Sequence, residues 1–65
     1  MNEKFNLCVD SLCDGIEDDK AKEKVRLAFK NALIDACYNS ARAVAPFTGA
    51  DYLQVAQRLC NLLIY

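Results

Sequence analysis

The stretch that decides the fold is residues 20–45, which reads KAKEKVRLAFKNALIDACYNSARAVA. It contains no Gly or Pro and few β-branched residues, so it predicts one uninterrupted helix. Asp18 or Asp19 is expected to cap its first turn. Pro46 is expected to end it, because the residue before a proline avoids the helical region. Such a helix would be about 39 Å long, which is long for a chain of 65 residues.

A shorter helix is predicted on either side of this long one. The first covers about residues 2–14, with Asn2 as its cap and Gly15 as the residue after its end. The third begins at Thr48, whose spacing to Asp51 resembles a capping box. Both have one apolar face with the spacing of a helix. The members of the two faces are Phe5, Cys8, Val9, Leu12, Cys13 and Ile16, and then Tyr52, Val55, Ala56, Leu59, Cys60 and Leu63.

These patterns predict an all-α fold in a single helical domain, residues 1–65, with a short, a long central and a medium helix. The central helix is predicted to be apolar on two opposite sides. The wide arc holds Val25, Phe29, Ala32, Leu33, Ala36, Ala43 and Val44, with Ala28 and Cys37 at its edges. The opposite side has the spacing of a coiled-coil seam and holds Leu27, Asn31, Ile34, Tyr38, Ala41 and Ala45.

Two arrangements would cover both sides of this helix. Each short helix could take one side, but the two would then hardly touch each other. Alternatively, both pack on the wide arc and the seam meets a second copy, so that homo-oligomerisation, commonly as a dimer, completes a small bundle. The large apolar surface of a small chain favours the second arrangement. Asn31 would then fix the register of the seam, although an exposed polar residue at its margin is an equally good interpretation.

Composition and charge exclude several classes of protein. With 54% hydrophobic and 26% charged residues, two Gly and one Pro, the chain has a globular composition and not a disordered one. Its formal net charge of −1 argues against nucleic-acid binding through a broad basic surface. No export signal is visible near residue 1, and no apolar stretch is long enough for a bilayer. We therefore expect a cytoplasmic protein with no membrane partner.

The four cysteines are Cys8, Cys13, Cys37 and Cys60, and all occupy apolar positions of the helical patterns. We interpret them as small buried hydrophobic residues in a reducing compartment. A secreted helical peptide with two disulfides is the weaker alternative. Zinc is disfavoured because the cysteines are widely spaced and the chain has no His, so no metal or other cofactor is expected.

No catalytic constellation is visible in the sequence. A nucleophilic cysteine needs a neighbouring base or cation, but His is absent and the cysteines lie among apolar residues. Phosphate-binding, dinucleotide-binding and calcium-binding motifs are missing as well. We therefore expect a protein that is not an enzyme.

The expected function is protein–protein interaction. We expect a small acidic adaptor or inhibitor that acts as a homo-oligomer and docks on a larger protein whose identity the sequence does not encode. By analogy alone, accessory proteins of phages and mobile elements are often small helical chains of this kind. The expected docking residues are Leu62, Ile64 and Tyr65, which widen the apolar arc of the third helix.

A basic stripe supplies the alternative function. Lys22, Arg26 and Lys30 recur every four residues and share one flank of the central helix. They are interpreted as a solvated face, as a dock for an acidic protein surface, or as a site for a phosphate-bearing small molecule or nucleic acid. The net charge of the chain disfavours nucleic acid.

Overall fold

A computed structural model describes residues 2–65 of the chain. In this part it contains three α-helices and no strand: α1 spans Glu3–Leu12, α2 spans Asp19–Thr48 and α3 spans Tyr52–Leu63. The all-α class and the order of a short, a long and a medium helix are therefore confirmed.

Helix α2 begins where the sequence predicts and ends later. The Asp18 carboxylate caps it by accepting a 3.0 Å hydrogen bond from a backbone N–H two residues further on. The helix then continues through Pro46 to Thr48. Pro46 stands in the last turn, where its missing N–H removes one helical hydrogen bond and only two residues of the helix follow it. Gly49, in the left-handed conformation with φ of 70°, ends the helix by donating its N–H to the Ala45 carbonyl over 2.9 Å.

The start of α3 corrects a second prediction. Thr48, expected to begin this helix, is the last residue of α2, and its hydroxyl accepts a 3.3 Å hydrogen bond from the Ala50 N–H. The cap is Asp51, whose carboxylate accepts a 3.1 Å hydrogen bond from the Leu53 N–H. Only residues 49–51 separate the two helices, and such a short connection makes α3 antiparallel to α2.

Helix α1 ends at Leu12, two residues before its predicted end. The following turn includes Gly15, which takes the left-handed conformation with φ of 85° that suits a glycine after a helix. Residues 16–18 then lead into α2. Helix α1 is therefore also antiparallel to α2.

Asn2 joins the beginning of α1 to the end of α3. Its side-chain oxygen accepts a 2.8 Å hydrogen bond from the Lys4 N–H and caps α1, as predicted. Its backbone N–H donates to the Ile64 carbonyl over 2.8 Å, and its side-chain amide donates to the Leu62 carbonyl over 2.6 Å. These bonds satisfy carbonyl groups that the end of a helix leaves unpaired, and they place α1 directly after α3 in space.

The resulting molecule is a rod in which α3 and α1 share one side of α2. Tyr52 lies beside Arg42 at one end of the contact, and Phe5 lies beside Phe29 further along. The extents are 46 × 17 × 13 Å, and the 30 residues of α2 account for the full length. The radius of gyration is 14.1 Å, against about 11 Å for a typical globular domain of this length.

The core is a strip along the contact of α2 with its two neighbours. Its buried residues are Phe5, Val9, Cys13, Cys37, Ala41, Ala56, Cys60 and Ile64. The rings of Phe5 and Phe29 stack with their centroids 5.4 Å apart. Neither Ala41 nor Ala56 has any exposed surface, and two such small residues let α2 and α3 approach each other closely.

The buried face of α2 lies where the two apolar sides predicted from the sequence adjoin. Its centre is formed by Cys37, at the edge of the wide arc, and by Ala41, a member of the seam. Leu33 of the wide arc and Ile34 of the seam are half-buried beside them. The prediction that α1 and α3 cover the wide arc and leave the seam free is therefore wrong, because they cover the inner edge of both.

Candidate interaction surface

The predicted oligomer seam is divided by packing within the chain. Ala41 is fully buried, so it is not available to a second copy. The half-buried members of the seam are Ile34, Tyr38 and Ala45. Only Leu27, which is 55% exposed, and Asn31 remain open. The chain therefore presents no continuous seam of the six predicted residues.

The predicted docking residues at the end of the chain do not form one patch. Ile64 is 0% exposed, contrary to the prediction. Its N–H donates to the Cys60 carbonyl over 2.8 Å, and this helical turn brings its side chain onto the same buried face as Cys60. Leu62 and Tyr65 are exposed, but they border different hollows, Leu62 beside Leu33 and Tyr65 beside Ile34 and Tyr38.

The basic stripe lies on the first half of α2. Lys22 is exposed, whereas Arg26 and Lys30 are half-buried. The Lys30 ammonium lies 5.5 Å from the centroid of the Tyr65 ring, within the range of a cation–π contact. This cation therefore helps to hold the end of the chain against α2, which favours a structural role for it over binding of a phosphate group.

Three cysteines are buried, as predicted, but Cys8 is exposed. All four carry free thiols. Cys8 and Leu12 are the two exposed residues of the predicted apolar face of α1, because the neighbouring helices pack on only part of that face. The Cys13 thiol donates a 3.9 Å hydrogen bond to the Lys22 carbonyl. Cys37 of α2 and Cys60 of α3 are both buried in the same core cluster.

Burial in the core sets the chemistry of the Cys37 thiol, and the neighbouring Cys60 adds to its effect. Burial first, and then the hydrogen bond and charge of Cys60, raise the pKa of Cys37 above its ordinary value of 9.0. A raised pKa reduces the thiolate fraction near neutral pH, and the thiolate is the form that attacks electrophiles and binds metals. The Cys37 thiol is therefore suited to packing and not to nucleophilic chemistry.

The raised pKa of Cys37 predicts that stability falls at alkaline pH. Below the ordinary value of 9.0 the thiol is protonated in both the folded and the unfolded chain. Above it the unfolded chain loses the proton first, so the free energy of unfolding decreases as the pH rises toward the folded-state pKa. We expect urea midpoints that fall above about pH 9. The variant C37A should lose part of this fall, and an equal fall in both chains would contradict the prediction.

Phe47 is an exposed residue that the sequence prediction did not single out. It is 90% exposed on the last turn of α2. The sequence does contain a signal for Phe47: Phe29 precedes it by eighteen residues, which is about five full helical turns. Both rings therefore leave α2 in the same direction.

An uncharged face of α2 connects these two aromatic residues. Six of its residues follow the alternating spacing of four and three that is typical of a helix–helix seam, and two more lie directly beside them. The uncharged face consists of Phe29, Ala32, Leu33, Ala36, Ser40, Ala43, Val44 and Phe47. Phe29 and Leu33 are half-buried, and the other six are exposed.

Two apolar hollows border Phe29 at one end of the uncharged face. One, of about 160 Å³, lies where the three helices meet and is lined mainly by Phe5, Cys8, Phe29, Leu33, Leu62 and Leu63. The other lies on α1 and is lined by Leu7, Cys8, Ser11, Leu12 and Phe29. Cys8 and Phe29 belong to both hollows, so the two form one continuous apolar surface.

Comparison of the chain with models of protein families, with curated proteins and with solved structures finds no match. Within residues 2–65, none of the three helices combines the length and the hydrophobicity that crossing a membrane requires. Nor do the Cys, Asp and Glu side chains of this part of the molecule gather in a group of three or more that could hold a metal ion.

Proposed function

We propose that this chain is a non-enzymatic protein–protein interaction module that acts as a homo-oligomer. The observation that carries the proposal is the large solvent-accessible surface area of the rod. A monomeric globular protein of 7.3 kDa exposes about 4,200 Å², whereas this chain exposes 4898 Å², about 700 Å² more. One partner in a specific complex typically contributes about 800 Å², so the area that the elongated shape of the chain adds is comparable with one side of an interface.

The kind of surface supports the same function. Large apolar side chains are exposed on all three helices, including Leu7 and Leu12 of α1, Phe47 of α2 and Leu62 of α3. A monomeric soluble protein rarely leaves extensive apolar patches uncovered. The chemistry of the side chains supports a non-enzymatic role, because the sequence contains no His and burial keeps the Cys37 thiol protonated. Docking on a larger protein, as an adaptor or inhibitor, remains a prediction from the sequence.

Light scattering at several protein concentrations tests this proposal. In the presence of reductant, we expect the molar mass to rise with concentration from 7.3 kDa toward twice that value. The reductant keeps intermolecular disulfides through the exposed Cys8 from imitating association. A mass of 7.3 kDa at every concentration, with the helical circular dichroism of a folded chain, would refute oligomerisation.

A further inference from the structure

We infer that two copies associate in antiparallel orientation through the uncharged face of α2, and that Phe47 of each copy inserts into the apolar hollow beside Phe29 of the other. This inference rests on the proposed function, because it assigns the surface through which the oligomer forms. It replaces the seam predicted from the sequence, most of which is buried or half-buried within the single chain.

The first argument is the self-complementary order of the residues on the uncharged face. In a two-fold symmetric pair, any residue that contacts a second residue is contacted by it in return. If the symmetry axis passes level with position 38, each residue of the face meets another residue of the same face. The pairs are Phe29 with Phe47, Ala32 with Val44, Leu33 with Ala43, and Ala36 with Ser40.

The sizes of these pairs fit close packing of two helices. Leu33 meets an alanine, and so does Val44, so a larger side chain faces a smaller one in both pairs. Ala36 and Ser40 lie nearest to the axis, where small side chains let two helices approach each other. No charged residue lies on this face between Phe29 and Phe47, so association would bury no charge on it.

The second argument is the fit of Phe47 to the hollow. Phe47 is 90% exposed in the single chain, and the antiparallel register brings it level with Phe29 of the other copy. The hollow there measures about 160 Å³ and is lined mostly by apolar side chains. A cavity of about 150 Å³ with such a lining accommodates a benzene ring. The two-fold axis repeats the contact, so two rings fill two hollows.

The third argument is the area available for the contact. The uncharged face extends over about 27 Å of helix, and the hollows on α1 and at the three-helix junction widen it at one end. The whole rod exposes about 700 Å² more than a globular chain of its mass, an amount comparable with the share of one subunit in a stable dimer. A second copy therefore accounts for both the size and the symmetry of the surface.

Tryptophan fluorescence tests the position of Phe47 in the dimer. The chain contains no Trp, so the variant F47W carries a single reporter at an exposed site, and L27W carries one on the opposite flank. As concentration rises and light scattering records dimers, we expect the emission of F47W to shift to the blue while that of L27W stays at its water-exposed position. Circular dichroism checks that both variants remain helical.

The variant F47A covers the case in which the larger indole ring does not fit the hollow. We expect the dimer dissociation constant of F47A to rise about tenfold or more, because an aromatic anchor that fills a hollow of the other copy is lost. Dimers whose dissociation constant is unchanged in F47A would overturn the inference and leave the proposed function intact. So would dimers in which the emission of F47W does not shift. A wild-type chain that stays monomeric at every concentration would overturn both.

Discussion

Replacing Phe5 with alanine is expected to unfold the chain at 25 °C. Phe5 is 2% exposed and stacks on Phe29 across the contact between α1 and α2. Truncating a buried phenylalanine typically costs about 3–5 kcal/mol. A small domain of this size has a free energy of unfolding of only about 3–5 kcal/mol, so the expected loss is as large as the whole stability of the chain. The measurement is helical circular dichroism during a urea titration of F5A and the wild type at one protein concentration.

The control for this experiment is L27A, which truncates a side chain that is 55% exposed on α2. Its urea midpoint should stay close to that of the wild type, because little apolar surface is returned to water. A F5A chain with the helicity and midpoint of the wild type would contradict the packing of α1 on α2. The fixed concentration matters, since self-association adds to the measured stability.

Local sequence patterns predicted the helices and two of their caps correctly. Asn2 and Asp18 both accept hydrogen bonds from the first turns of α1 and α2, because a short polar side chain before a helical pattern is a local signal. Pro46 and Thr48 show where such signals fail. The preference against helix before a proline is statistical and is not obeyed at Ala45, and the left-handed Gly49 sets the actual end.

The side of α2 on which its neighbours pack could not be predicted from periodicity alone. Alanine is small enough to be either buried or exposed, so the many alanines of α2 leave the direction of the core undefined. The direction of the core is set by contacts between residues that are distant in the sequence. One of them is the hydrogen bond from Asn2 to the Ile64 carbonyl, which places α1 after α3 along one side of α2. Ile64 itself had a signal, since it follows the buried Ala56 and Cys60 at intervals of four residues.

For the candidate site, the consequence is that the exposed apolar surface of α2 lies on a different flank from the predicted seam. Ile34 packs against the core, so I34D, the natural test of the predicted seam, would unfold the chain whether or not copies associate. The uncharged face offers better tests because Ala36 is exposed in the single chain. A substitution there perturbs association with little effect on the core.

Replacing Ala36 with glutamate is expected to dissociate the dimer and leave its subunits folded. In the antiparallel pair, position 36 faces Ser40 of the other copy close to the symmetry axis, so each dimer would bury two carboxylates. Burying an unpaired charge costs several kcal/mol, which raises the dissociation constant about 100-fold or more. Glutamate is a good helix former, so the circular dichroism of A36E should remain that of a helical chain.

Two matched variants place the same side chain elsewhere on α2. A28E introduces glutamate at an exposed alanine on the side of the helix away from the core, and L27E introduces it at an exposed residue of the predicted seam. Both lie outside the uncharged face. We expect both variants to dimerise with the affinity of the wild type.

Sedimentation equilibrium of A36E, A28E, L27E and the wild type in reductant is the most direct measurement. The prediction is that A36E sediments at 7.3 kDa under conditions in which the other three approach twice that mass. An A36E chain that dimerises like the wild type, or an L27E chain that dissociates in its place, would contradict the uncharged face of α2 as the site of self-association.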